Sequence, residues 1–109
     1  MTKVTIFKNK KDEYVGFLAD GHAGYADAGD DIVCAAISVL TINTVNSVEQ
    51  FTSDRFGYDA DEDSGRMEFH LQEDAGKESL LLMSSLVLGL QGVQSSYGND
   101  YLTLDFKEV

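Results

Sequence analysis

Two stretches of helical spacing, each flanked by alternating segments, leave this chain few ways to fold. The first begins near Asp31 and runs through Ile32, Ile37, Leu40, Val45 and Val48 to about Gln50, with Asn43, Thr44, Asn46 and Ser47 marking its less buried end. The second runs from about Lys77 to Ser95 through Leu80, Leu81, Met83, Leu86, Val87, Leu90 and Val93. Apolar residues at this spacing gather on one side of a helix and need a surface to cover them. The rest of the chain supplies it. Thr2 to Lys8 alternates, with Val4 and Ile6 on one face and Lys3, Thr5 and Phe7 on the other; polar Asn9 to Glu13 follows, then β-prone Tyr14 to Ala19, which completes a hairpin. Arg55 to Tyr58 and Met67 to Leu71 read as a second strand pair, and Tyr101 to Lys107 as a last strand with Leu102, Leu104 and Phe106 inward. The order ββαββαβ predicts a two-layer α/β sandwich, a mixed five-stranded sheet with two helices on one face. The 109 residues fit one domain spanning 1–109.

Composition narrows the partners. Eight Lys and Arg against nineteen Asp and Glu give a net charge of −11, which repels phosphate backbones and attracts basic polypeptides. Direct nucleic-acid binding is not expected. One cysteine cannot make an intrachain disulfide, and a free thiol fits a reducing cytoplasm. The strand-like start lacks the apolar core of a signal peptide, and the apolar run from Leu80 to Leu90 is too short to span a bilayer, so neither secretion nor membrane insertion is expected. The acidic run from Asp59 to Gly65 superficially resembles a calcium loop, but its sixth position is Ser64 and its twelfth is His70, where that loop needs glycine and a bidentate glutamate. An acidic turn is the reading, with no metal and no cofactor. His70 falls on the strand face opposite Met67 and Phe69, a surface or interface position.

The chemistry concentrates between residues 21 and 38. His22 precedes Cys34, the single cysteine, across a loop punctuated by Gly21, Gly24 and Gly29. An imidazole is suited to taking a thiol proton near neutral pH and returning it to a leaving amine. Asp30 and Asp31 are good helix caps, and with Asp31 as the cap Cys34 becomes the third helical residue, beside unpaired N–H groups at the positive end of the dipole. Those groups would favour thiolate and receive an oxyanion; the two aspartates oppose the first effect. Ser38 lies one turn beyond Cys34 on the same face, and Ser38 or Asp31 is placed to orient His22.

Burial statistics alone make a lone cysteine beside Ala35, Ala36 and Ile37 an inert packed thiol. The chain would then be an acidic, non-catalytic module that captures a basic polypeptide segment, and a redox sensor is a third reading, although it lacks a resolving cysteine. Beyond the spacing, the run Gly21-His22-Ala23, Gly29, Asp31, Cys34-Ala35-Ala36 and Ser38-Val39-Leu40 resembles the signature of the bacterial ribosomal-processing cysteine proteases known as Prp, and the likeness extends over essentially the whole chain. The resemblance implies His22 and Cys34 as the catalytic dyad, with Asp31 and Ser38 shaping the site. It implies as substrate the precursor of large-subunit ribosomal protein number twenty-seven, cut at its N-terminal extension after bulky aromatic residues, and pairing as a homodimer. The broad apolar stripe of the second helix fits such an interface, where Gly89 and Gly92 would admit a close backbone.

Overall fold

The computed structural model describes residues 2–21 and 28–109, with backbone alone over residues 28–31. The elements run β1 (Thr2–Lys8), β2 (Tyr14–Asp20), α1 (Ala28–Phe51), β3 (Phe56–Asp61), β4 (Arg66–Leu71), α2 (Lys77–Tyr97) and β5 (Leu102–Glu108). The sheet order is β3-β4-β2-β1-β5, antiparallel except for the parallel β1–β5 pair. This is the expected mixed five-stranded sheet in the expected element order.

Register explains which face is covered. Val4 pairs with Ala19, Ile6 with Phe17 and Phe17 with Phe69, so these side chains share one face. Val33, Ile37, Val45 and Val48 of α1 and Met83, Leu86, Val87 and Leu90 of α2 join them in one buried cluster. Both helices therefore cover the same side. Phe17 and Phe69 lie with ring centroids 5.5 Å apart, and Phe56 meets Phe69 at 5.3 Å. The inward pattern of β5 fades along its length: Leu102 is buried, while Phe106 is exposed, with its ring 5.8 Å from that of Tyr14.

On the opposite face Gly16 of β2 lies between β1 and β4. A Cβ there would sit well inside 3.0 Å of the Phe69 carbonyl oxygen. Without one, Phe7 and His70 close over the glycine from the two flanking strands and stack at 4.9 Å. His70 Nε2 also meets Glu68 Oε2 at 2.6 Å, and Arg66 pairs with the same carboxylate. The bond to His70 is the main cause that holds the Glu68 carboxyl below its ordinary range, with Arg66 adding to it against partial desolvation.

The helices differ from expectation in three places. Thr44 and Ser47 are buried rather than marking an open end, and Thr41 and Thr44 return their hydroxyls to the Ile37 and Leu40 carbonyls at 2.7 and 2.8 Å. An i−4 bond of this kind lets a hydroxyl enter a core. Residues 32–51 are also apolar enough, by length and composition, to cross a membrane, which makes this stretch and not Leu80–Leu90 the stronger candidate. Its buried side packs the sheet, as a core helix does. Finally, a Cβ at Gly89 would lie 3.0 Å from the Leu40 side chain, so this glycine admits α1 within the chain, whereas Gly92 faces open space.

A distant carboxylate caps α2. The cap residue Gly76 has no side chain to offer, and Asp54 supplies Oδ2 to the Gly76 N–H at 2.9 Å and to the buried Ser79 hydroxyl at 2.6 Å. The Ser79 bond first, and the Gly76 bond second, hold the Asp54 carboxyl below its ordinary 3.8. A folded value below the unfolded one stabilises the fold above the unfolded value, and that contribution is lost as pH falls through the folded value. Below about pH 4, the thermal midpoint of the parent should therefore fall more steeply than that of Asp54→Asn. Parallel melting curves from pH 5 to about pH 2.5 check this; equal slopes would refute it.

Candidate active site

The end of the sheet that carries the start of β1, the end of β2 and the β3–β4 turn opens onto the first half of α1. A cleft of about 250 Å³ lies there, walled by Cys34, Ser38 and Thr41 of α1, by Thr2, Ala19 and Gly21, and by Asp61, Glu62, Arg66 and Met67. Gly21 leaves β2 with φ +125°, a conformation that side-chained residues rarely adopt, and so turns the chain toward the residues that follow.

Cys34 is partly buried, flanked by the buried Val33 and Ile37. Its Sγ lies 3.4 Å from the Thr2 hydroxyl oxygen. Ser38 is exposed one turn along and shares the cleft, so the expected Cys34–Ser38 face is present. The approach of Thr2 to Cys34 was not read from sequence; the available signal was strand parity, which puts Thr2 on the inward face with Val4 and Ile6. The sulfur and hydroxyl side chains converge on one opening, beside an acidic lip from the β3–β4 turn.

The helix start differs from the reading that made Asp31 its cap. With α1 beginning at Ala28, Cys34 is the seventh helical residue and Gly29 belongs to the first turn rather than to a loop. Only the first four N–H groups of a helix lack intrahelical partners, and the dipole effect fades within the first turn. Cys34 is thus too far along α1 for its own N–H to receive an oxyanion or for the helix end to favour thiolate. His22 and Gly24 lie outside the described residues, as does the side chain of Asp31, so the orientation of His22 by Asp31 or Ser38 also lies outside them. His70, the other histidine, sits on the open sheet face with Glu68 and Phe7 and does not line the cleft.

A partly accessible thiol at the wall of a cleft on a two-layer α/β scaffold is the kind of site a thiol enzyme uses, on a fold other than the papain arrangement. Comparison with known proteins agrees. The family model for the cysteine protease Prp matches residues 1–102. The ribosomal processing cysteine protease Prp of Staphylococcus aureus is 28% identical over 107 residues, 98% of this chain and 100% of its own, and that of Bacillus subtilis is 27% identical over 101 residues, 89% and 90%. The crystal structure of S. aureus Prp with a substrate peptide matches with TM-score 0.91 at 27% identity, over 98% of this chain and 100% of that one. A Streptococcus mutans crystal structure matches with TM-score 0.88 at 27% identity, over 100% and 96%. The chain belongs to the Prp family of cysteine proteases and is accordingly a cysteine endopeptidase.

Proposed function

We propose that this endopeptidase removes the N-terminal extension of the precursor of large-subunit ribosomal protein number twenty-seven, with Cys34 as nucleophile and His22 as general base and then acid. The observation that carries the reading is the placement of the Cys34 sulfur in a cleft, on a fold shared with an S. aureus protease solved with a substrate peptide and with a covalently linked product peptide. His22 takes the Cys34 proton, and the thiolate attacks the scissile carbonyl carbon. The C–N bond breaks as His22 returns the proton to the departing amine, and water then hydrolyses the thioester. Because the N–H of Cys34 has an intrahelical partner, oxyanion donors come from elsewhere in the site. The acidic lip of Asp61 and Glu62 suits a basic ribosomal segment, which a net charge of −11 would steer in the cytoplasm.

Intact-mass analysis of the unprocessed ribosomal protein tests this directly. A defined N-terminal loss with the parent alone, and none with Cys34→Ala or His22→Ala, is expected; an unchanged mass with the reduced parent would sink the reading.

The same reading includes a homodimer through the helix layer. Val39 and Leu88 are 67% and 71% exposed, and Ile32, Ile42 and Leu81 lie open on the same two helices. Apolar area of this kind on a helical face marks an interaction surface. Leu88→Asp should shift sedimentation from dimer to monomer at micromolar concentration; a parent that stays monomeric when concentrated would refute the interface.

A further inference from the structure

We propose that the Thr2 hydroxyl is a positioning residue for Cys34: it donates a hydrogen bond to the ionised sulfur and aims it into the cleft. This rests on the reading of Cys34 as nucleophile.

The geometry has three parts. Thr2 is only 5% exposed, and its Oγ1 stands 3.4 Å from Cys34 Sγ. Its backbone is pinned at the start of β1, where the Thr2 N–H donates to the Tyr101 carbonyl at 3.0 Å and Thr2 pairs with the buried Leu102. A β-branched side chain on a fixed backbone has little rotamer freedom, so the hydroxyl is already in place when the sulfur ionises. Cys34 is held just as firmly on α1 by Val33 and Ile37 on either side, both buried.

The chemistry then has a direction. Toward a thiol, the Thr2 hydroxyl is donor or acceptor in a weak neutral bond. Toward a thiolate it acts only as a donor, and the bond becomes charge-assisted and stronger. The difference favours ionisation. Asp61 of β3, Glu62 of the turn and Arg66 of β4, itself paired with Glu68 and Asp59, line the same cleft, and His22 is the base of the proposed reaction; all are the same in parent and variant, so a comparison of the two isolates Thr2.

The test is the pH profile of Cys34 reaction with a small neutral disulfide, dithiodipyridine, in the parent, Thr2→Val and Thr2→Ser. Cys34 is the single cysteine, so every event reports on it. Loss of a charge-assisted bond should move the Thr2→Val midpoint up by about one pH unit, about tenfold less thiolate well below the midpoint. A thiolate of higher pKa is also more nucleophilic, by roughly threefold per unit. Thr2→Val should therefore react roughly threefold more slowly than the parent at low pH and roughly threefold faster on the high-pH plateau, so that the two curves cross. Thr2→Ser should return the profile toward the parent. A purely structural role for Thr2 would lower both limbs together.

Peptide turnover on the low-pH limb should fall about threefold in kcat for Thr2→Val with KM unchanged. If the valine variant fails to pack, Thr2→Ala removes the hydroxyl without adding bulk and carries the same readout. Superimposable profiles for the parent and a folded variant lacking the hydroxyl would overturn the proposal. The two readings fail separately: cleavage by Cys34→Ala would overturn the nucleophile, whereas coincident disulfide profiles alongside an inactive Cys34→Ala would overturn only the part given to Thr2.

Discussion

Replacing Cys34 with alanine should lower peptide turnover by about 10⁴-fold or more while leaving the melting temperature near that of the parent. The first half of this expectation follows from the chemistry. On the proposed mechanism no thioester forms without the sulfur, and what remains is binding and whatever oxyanion stabilisation the site gives to direct attack by water. A 10⁴-fold loss corresponds to about 5.5 kcal/mol of transition-state stabilisation. The second half follows from the position. The sulfur is partly exposed at a cleft wall, and its partner among the described side chains is one Thr2 hydroxyl that opens to the same cleft, so truncation leaves no sealed void. Substrate affinity should survive, because the cleft walls from β2 and from the β3–β4 turn are untouched. Alkylating the parent with iodoacetamide should reproduce the variant at one modification per chain, since no other cysteine competes. Substantial turnover by Cys34→Ala under conditions where the protein is folded would refute the assignment.

The architecture was legible because each element carries its own period. Val4 and Ile6 alternate against Lys3, Thr5 and Phe7, and Met67, Phe69 and Leu71 alternate against His70, which is enough to place both strands and their inward faces. The alternation failed at Phe106, since a period says which way a side chain points and not whether a helix extends far enough to cover it. Helix burial was misread for a related reason. Thr44 and Ser47 look like solvent residues in composition, and only the i−4 hydroxyl bonds seen at Thr41 and Thr44 show how such side chains enter a core.

At the site, Cys34 and Ser38 share a face because they are one turn apart, a relation local in sequence. The helix start was local too, and there good cap residues misled. Asp30 and Asp31 are favourable caps, but α1 begins at Ala28 and takes them into its first turn, where carboxylates also complement the dipole. The partnership of Thr2 with Cys34 is of another kind. It joins residues 32 positions apart through the packing of a helix on the first strand, and no motif or spacing encodes that distance.

Phe69→Ala should destabilise the fold by about 3–5 kcal/mol, the reverse of Cys34→Ala in what it damages. Phe69 is fully buried on β4, near the middle of the sheet, paired with Phe17 of β2 on one side and Tyr58 of β3 on the other. Its ring touches those of both Phe17 and Phe56. Removing it forfeits the transfer free energy of a large side chain and two aromatic contacts. It also leaves a void that the strands cannot close, because their spacing is set by backbone hydrogen bonds. A domain of this size has only about 5–15 kcal/mol of net stability, so the loss takes a large share and should lower the melting temperature by on the order of 15–25 °C. Phe69 does not line the cleft, although Met67, two residues earlier on the same face, does. Below the lowered midpoint, turnover per folded molecule should therefore stay within about threefold of the parent. Phe69→Leu, which refills most of the volume, should recover more than half of the lost stability. Urea titration and active-site counting with the disulfide probe separate the two quantities. A variant that melts with the parent would show that the aromatic trio is not what holds the helices to the sheet.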